Sequence, residues 1–391
     1  MGSAHSGLGG LGRLPLYLVS LSGGGFRSAL YNAGVLRVLH EDEKLVRLCR
    51  THHVFVNAVS GGTIPALIWD AYIRAVSISE PLWPEKVLLD LVTSAPRLGG
   101  RYNWGFKIRG AWEVFLTHWW ERHTHGLRMG DAGLVTQAEV LDFLSGNIYT
   151  FCGTYLQRPD REFYKAGEAF APISIPNHDR TSIVPFAIAR ATAFPVYFSP
   201  WRLEIQHRIT NVAGSYEFLD AGVIDNLGAH PFHAFFAKQP PVTLPEAGNV
   251  WFVANAGAAF SVPAGAARRV MGAPQKPKLS LLDRIFRYTG DLAQPASEKM
   301  IMNLVDAYTP FDVTGVRIGY LPDPERPWHL TASLPDQTAV SLIPTALSRM
   351  SRDDAVCVML QGAQTASFAA RWDQPRRERM KAELLSLCAP R

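Results

Sequence analysis

Ser60 stands between an apolar run, Val54-Phe55-Val56, and two glycines, Gly61 and Gly62. Upstream, Gly23, Gly24 and Gly25 follow another apolar run, Leu16-Tyr17-Leu18-Val19, and precede Phe26-Arg27. Far downstream, Asp220 opens the segment Asp220-Ala221-Gly222-Val223-Ile224-Asp225-Asn226. A serine becomes a nucleophile when it stands clear of the backbone and a nearby base takes its proton. It also needs donors that stabilise the oxyanion formed on attack. Ser60, Asp220 and the Gly23–Gly25 backbone supply those three parts, which is the chemistry of acyl transfer.

The elements that hold such residues follow from their neighbours. A sharp strand-to-helix turn lifts a serine clear of the chain, and small flanking residues let it bend tightly. Val54–Ala58 reads as the strand, Ser60 as the elbow and Thr63–Ala75 as the helix. From Leu14 the order is again strand, glycine turn, helix, with Ala29, Leu30, Ala33, Val35, Leu36 and Leu39 at helical spacing. Alternating strands and helices imply a parallel sheet with right-handed crossovers. Three glycines between a strand and a helix let backbone N–H groups converge on an anion. Neither the G-x-G-x-x-G spacing nor a Gly-Lys-Ser/Thr triplet is present to direct that anion site toward a nucleotide. Asp220 closes a further strand, and an aspartate of ordinary pKa near ~4 is a weak base at neutral pH. It needs desolvation and a close hydrogen bond to Ser60. Asp225 and Asn226 read as braces of the same loop.

With 391 residues, 47% hydrophobic and 19% charged, the chain has the composition of a globular protein with a large core. The net charge of +5 suits an anionic partner such as an acidic lipid surface or nucleic acid, but so small an excess is also common in mildly basic soluble enzymes. Cys49, Cys152, Cys357 and Cys388 are far apart, so they read as free thiols and give neither a zinc motif nor a disulfide framework. No run reaches the 18–20 apolar residues, roughly, of a membrane span. The opening Met1-Gly2-Ser3-Ala4-His5-Ser6 fits the myristoylation pattern formally, but Gly-Ser-rich starts are also common in flexible tails.

In order and spacing, Ser-Gly-Gly-Gly-Phe-Arg at 22–27, Val-Ser-Gly-Gly at 59–62, Ala-Thr-Ala-Phe-Pro-Val-Tyr-Phe-Ser-Pro at 191–200 and Asp-Ala-Gly-Val-Ile-Asp-Asn at 220–226 resemble the patatin-like phospholipase family. The resemblance covers residues 16–230. It implies a three-layer α/β/α fold with a mostly parallel central sheet and helical cap or insertions. It also implies a Ser–Asp dyad without a catalytic histidine: Ser60 as nucleophile, Asp220 as base and Gly23, Gly24 and Gly25 as the oxyanion hole. Arg27, Gly61, Gly62 and Gly222 would support them, with no metal and no cofactor. The implied substrate is a phospholipid or lysophospholipid, met in the cytoplasm with transient contact at a membrane surface; no nucleic-acid partner is expected. Two positions depart from the family pattern. Ala58 stands where the elbow usually begins with glycine, and Ala221 where the aspartate is usually followed by glycine. Were position 221 left-handed, Ala221 would be strained by about 1 kcal/mol.

Other readings compete with this one. The same dyad could serve a different carboxylester or an acyltransferase, or the fold could survive as a catalytically silent partner-binding protein. A Ser–His–Asp triad could draw on His207, His230 or His233. His118, His123 and His125 suggest a metal but lack H-e-x-x-H spacing, and read as a helix face. The segment 101–128, with Trp104, Trp112, Trp119 and Trp120 among arginines, reads either as a cap packed on the sheet or as an interfacial lip. Residues 1–13 read as a flexible lead-in and 14–391 as one elaborated domain. Within it, 77–180 is expected to be a helical insertion, 261–278 an exposed loop and 280–391 mostly helical around a short strand near Thr314–Ile318. The C-terminal region is the first place to seek gating by a partner, ligand or oligomer.

Overall fold

The computed structural model describes residues 15–49, 53–72, 84–95, 105–124, 134–152, 155–157, 173–174, 183–195, 198–206, 213–237, 248–256, 299, 301, 311–318, 321–322, 330–332, 347 and 349–388. The lead-in over 1–13, the loop over 261–278, and Trp104, His125 and His207 lie outside these residues.

The first apolar run becomes β1 (Tyr17–Leu21), buried at every position, and the second becomes β2 (Val54–Ala58), buried likewise. Strands buried on both faces belong inside a covered parallel sheet. The sheet has a parallel centre, ordered β10 (Phe311–Arg317), β9 (Asn249–Asn255), β1, β2 and β3 (Leu134–Asp142). The architecture is thus α/β, as expected. Beyond β3 the pairing turns antiparallel through β4 (Asn147–Cys152), β5 (Tyr155–Gln157) and β6 (Ile173–Ser174). The hairpin of β7 (Trp201–Gln206) and β8 (Ala213–Asp220) also joins β3.

The helical reading of 77–180 is corrected by this topology. Helices α4 (Pro84–Ser94) and α5 (Gly105–Thr124) are present, but strands β3 to β6 occupy 134–174. The polar residues Thr136, Gln137 and Glu139 disguise β3 as a surface segment, yet all three are buried. On α5, Trp112, Trp119 and Trp120 are buried in the main core. These three indoles are therefore packing and form no lip.

Between the strands lie α1 (Gly25–Leu39), α2 (Glu43–Cys49), α3 (Thr63–Tyr72), α6 (Ile183–Ala191) and α7 (His230–Ala237). All fifteen residues of α1 are buried, so it is a central helix wrapped on all sides. Its far face is covered by α8 (Arg352–Ala369), followed by α9 (Gln374–Cys388). The two helices meet through glycine. A Cβ on Gly34 would stand 2.0 Å from the Met359 carbonyl, and one on Gly362 would stand 2.0 Å from that of Tyr31. Within 280–391, β10 and α8 are thus part of the core structure of the domain.

Candidate active site

The site lies where two strands meet end to end along one edge of β3. Ala138 of β3 pairs with Ala58 of β2 on one side and with Phe151 of β4 on the other. Two residues later Val140 still pairs with β4, through Tyr149, but its other neighbour is now Asp220 of β8. β2 and β8 therefore share an edge of β3 and run toward each other. Ser60, two residues past Ala58, and Asp220, at the end of β8, fall at the junction.

The elbow itself is strained. Val59 is extended at φ −118° and ψ 137°, then Ser60 turns to φ 51°. A left-handed non-glycine residue costs about 1–2 kcal/mol and persists where its surroundings impose it. Here they do: a Cβ at Gly61 would stand 2.0 Å from the Gly25 carbonyl oxygen, and one at Gly62 would stand 2.6 Å from that of Ser22. The elbow and the glycine loop are pressed backbone to backbone. Val59 N–H donates to the Leu21 carbonyl at 3.0 Å, tying them further.

Gly24 (φ 134°) and Gly25 (φ 59°) adopt backbones that suit glycine. Gly23 is required for space instead, since a Cβ there would lie 2.6 Å from Asn226 Oδ1 and 3.0 Å from Ser60 Cβ. The three expected donors are not equivalent. Gly23 N–H donates to the Asn226 carbonyl at 2.9 Å, whereas the N–H groups of Gly24 and Gly25 have no partner among the described residues. They stand at the N-terminus of α1, where the helix dipole favours negative charge. Arg27 is buried and donates through Nη2 to the Ala256 carbonyl at 3.1 Å, and Ala256 N–H donates to Ser22 Oγ at 2.6 Å. Arg27 thus anchors the loop to the end of β9.

Asp220 is wholly buried. Its Oδ1 accepts from Gly222 N–H at 2.8 Å, while Oδ2 has no aligned hydrogen bond among the described residues. Burial pushes its carboxyl up to about 7, opposed by the Ser60 hydroxyl and the Gly222 N–H. Ser60 is therefore near enough to act on the free side of Asp220 without yet making an aligned bond. Such contacts are often loose before substrate binds. Ala221 opens a short 3-10 turn and is not among the left-handed residues, so the strain considered for it is absent. Asp225 braces the loop: Oδ1 accepts from Leu227 and Gly228 N–H at 3.1 and 3.0 Å, and Oδ2 from His230 N–H at 2.6 Å.

A buried polar layer beneath the junction joins all three motifs. Ser20 of β1 donates to the Gly228 carbonyl at 2.9 Å, and Asn57 of β2 donates to it at 2.7 Å. Trp251 Nε1 donates to Ser20 Oγ at 3.0 Å. Asn57 Nδ2 also donates to Glu139 Oε1, and Glu139 Oε2 has no hydrogen-bond partner among the described residues. Burial first, and then the charges of Asp225 and Asp220, raise the Glu139 carboxyl well above its ordinary range, against the Asn57 bond. Sequence reasoning passed over Asn57 and Glu139. Their one signal is a polar residue inside a strand-like run.

Among the described residues no histidine converges on the site; His125 and His207 lie outside them. The groups that act on Asp220 are Ser60 and Gly222, with no histidine among them. His118 Nδ1 contacts the Val114 carbonyl at 2.9 Å, and His123 Nε2 contacts Asp90 Oδ2 at 2.8 Å. Among the described residues no cluster of His, Cys, Asp or Glu could hold a metal ion. The segment after α6 approaches the site through Asp220 N–H, which donates to the Ala193 carbonyl at 3.1 Å. Of its residues, Val196 and Tyr197 lie outside the described set.

No family model and no curated protein matches the sequence. Among solved structures, human GIVD cytosolic phospholipase A2 is similar with a TM-score of 0.40 and 11% identity. The same enzyme in complex with methyl gamma-linolenyl fluorophosphonate inhibitor and terbium chloride gives 0.38 and 12%. Each alignment covers 95% of this chain and 60% of that one, so the chain spans about three fifths of the length of the structures it matches.

Proposed function

We propose that the protein is a serine acyl hydrolase that cleaves fatty-acyl esters of phospholipids or lysophospholipids through a Ser60–Asp220 dyad. The observation that carries this reading is the junction: a serine held at φ 51° beside a buried carboxyl that titrates at about 7. The lipid substrate class rests on the motif resemblance to patatin-like phospholipases. Ser60 Oγ attacks the ester carbonyl carbon and its proton passes to Asp220. The carbonyl oxygen becomes an oxyanion received by the N–H groups of Gly24 and Gly25. Collapse of the tetrahedral intermediate breaks the ester C–O bond, and Asp220 returns the proton to the leaving alcohol. Water then attacks the acyl-enzyme by the same route, releasing the fatty acid and restoring Ser60. Gly23 keeps the loop against Ser60, Gly61 and Gly62 let the two backbones meet, Gly222 orients Asp220, and Arg27 fixes the loop to β9.

The chemistry uses protein groups alone. Among the described residues no helix is long and apolar enough to cross a membrane, which is compatible with peripheral docking. A fluorophosphonate probe should label the folded wild type at Ser60 and leave Ser60→Ala unlabelled. Fatty acid release from phospholipid vesicles should fall about 10³-fold or more in Ser60→Ala and Asp220→Asn. Absence of labelling in folded wild type would refute the reading. Transfer of the acyl chain to an added alcohol in preference to water would reassign the protein as an acyltransferase.

A further inference from the structure

The strand register places two hairpins beyond the candidate active site: the β3–β4 turn and, alongside it, β7–β8, whose Ala213–Tyr216 run past the end of β3. Ala58 of β2 lies opposite Ala138, and β3 continues four residues further, to Asp142. At ~3.3 Å per residue this carries it about 13 Å past the level of Ala58, on the edge where Ser60 turns away. The chain then reverses through 143–146 into β4, and Phe143 and Leu144 form the tip of that hairpin. They are 61% and 58% exposed. Ile224, four residues after Asp220, is 44% exposed. Of the five large hydrophobic residues exposed among the described residues, two form this tip and Ile224 follows the Asp220 turn; Val114 and Leu385 sit on separate helices.

The hairpin and the Asp220 loop are joined. Leu141, two residues before Phe143, packs with Val59 and Ala221, and Val223, next to Ile224, packs on the same cluster. The turn is also firmly built. Buried Asp142 accepts from Glu217 N–H at 3.0 Å, Leu144 N–H at 3.4 Å and Ser145 Oγ at 2.5 Å. Phe143 N–H donates to the Glu217 carbonyl at 2.7 Å, and Gly146 supplies the left-handed residue at φ 69°. The apolar tip is thus presented by a fixed frame.

We propose that Phe143 and Leu144 form a wedge that enters the surface of an anionic phospholipid bilayer and seats Ser60 at the lipid. This rests on the acyl hydrolase reading. A protein partner needs a complementary face of about 800 Å² per side, which a two-residue hairpin apex does not offer. A bilayer requires no matching shape and accepts a small apolar wedge. The net charge of +5 adds attraction to anionic headgroups.

The test uses the full chain with vesicles of phosphatidylcholine and phosphatidylglycerol, alongside a short-chain p-nitrophenyl ester dissolved as monomers. The variant Phe143→Ser with Leu144→Ser should partition onto vesicles about tenfold more weakly and hydrolyse vesicle lipid correspondingly more slowly. Its kcat/KM on the dissolved ester should stay within about twofold of wild type, which also shows that it is folded. In a second variant, Phe143→Trp, brominated lipid should quench the added indole fluorescence relative to wild type. Equal partitioning of the double-serine variant and wild type would overturn the proposal, as would an added indole that brominated lipid leaves unquenched. A wild-type dimer that the double-serine variant converts to a monomer would overturn it too, making the tip a self-contact. If wild type hydrolyses neither substrate and resists fluorophosphonate, the hydrolase reading falls, while sedimentation still decides whether the tip binds lipid.

Discussion

A carboxylate that takes a proton from serine near neutral pH must itself titrate near neutral pH. Asp220, pushed up to about 7 by burial, meets that condition. In the proposed mechanism the base works ionised, so kcat/KM on a dissolved ester should rise about tenfold per pH unit below ~7 and level off above it. A flat profile between pH 5 and 8, roughly, would exclude Asp220 as the titrating base. The same shift has a stability sign. The folded state holds the Asp220 proton more tightly than the unfolded chain does, so its contribution is full below the ordinary aspartate range and lost as pH rises through 7. Asp220→Asn should therefore be inactive yet more stable than wild type at pH 8, by about 2 kcal/mol in urea melts. Glu139 follows the same rule, with its folded pKa also raised. Glu139→Gln should flatten the alkaline fall in melting temperature, and Glu139→Leu, which leaves Asn57 Nδ2 with its Gly228 bond alone, should lower the melting temperature near neutral pH. Ser60 offers a separate check. Its φ of 51° suits glycine, so Ser60→Gly should be more stable than Ser60→Ala by about 1 kcal/mol, with both inactive.

At the scale of elements, the site depends on β2 and β8 stopping where they do along β3. The glycine loop fits that junction without spare room. Gly61→Ala would drive a Cβ to within 2.0 Å of the Gly25 carbonyl, which belongs to a backbone that cannot swing aside as a side chain can. It should displace the Gly24–Gly25 donors and lower kcat on a dissolved ester about 10²-fold or more, with a smaller change in KM. Unchanged kcat would separate the loop from oxyanion stabilisation. Much of this arrangement was legible in the sequence. Apolar runs ending in glycine marked β1 and β2, and Ser60, Asp220 and the glycines stood out through their turn chemistry. Asn57 and Glu139 did not, because a polar residue in a strand reads locally as a solvent-facing position. Only the register across β1, β2 and β3 shows that such residues satisfy one another. The same ambiguity hid β3 inside a segment read as helical insertion. Nor could the sequence separate Gly23 from Gly24 and Gly25, since Asn226, which occupies Gly23 N–H, lies some two hundred residues away.

For the whole molecule, the question is whether the C-terminal helices regulate the candidate site or complete the fold that carries it. A gating element would meet the site through a separable surface, and α8 does not. It crosses α1 through Gly34 and Gly362, and Tyr31 Oη and Thr365 Oγ1 are hydrogen-bonded at 2.8 Å inside the contact. From α1, buried Arg37 reaches Glu383 of α9 at 2.9 Å and Glu85 of α4 at 3.9 Å, binding three helices together. α1 in turn begins at Gly25, so the glycine loop stands on a helix whose far side is α8. Removing residues 351–391 would expose that side of α1 and leave Arg37 and the buried Glu85 without Glu383 nearby. Large buried apolar surfaces opened in this way destabilise a domain by several kcal/mol or more, on the order of its whole stability. The truncated chain should be insoluble, or soluble without near-ultraviolet circular dichroism and without fluorophosphonate labelling. Arg37→Met, which removes the charge and keeps much of the stem, should lower the melting temperature and leave kcat on a dissolved ester near wild type. A truncated chain that stayed folded and gained activity would instead make α8 and α9 an inhibitory cover, which their glycine-mediated contact with α1 argues against.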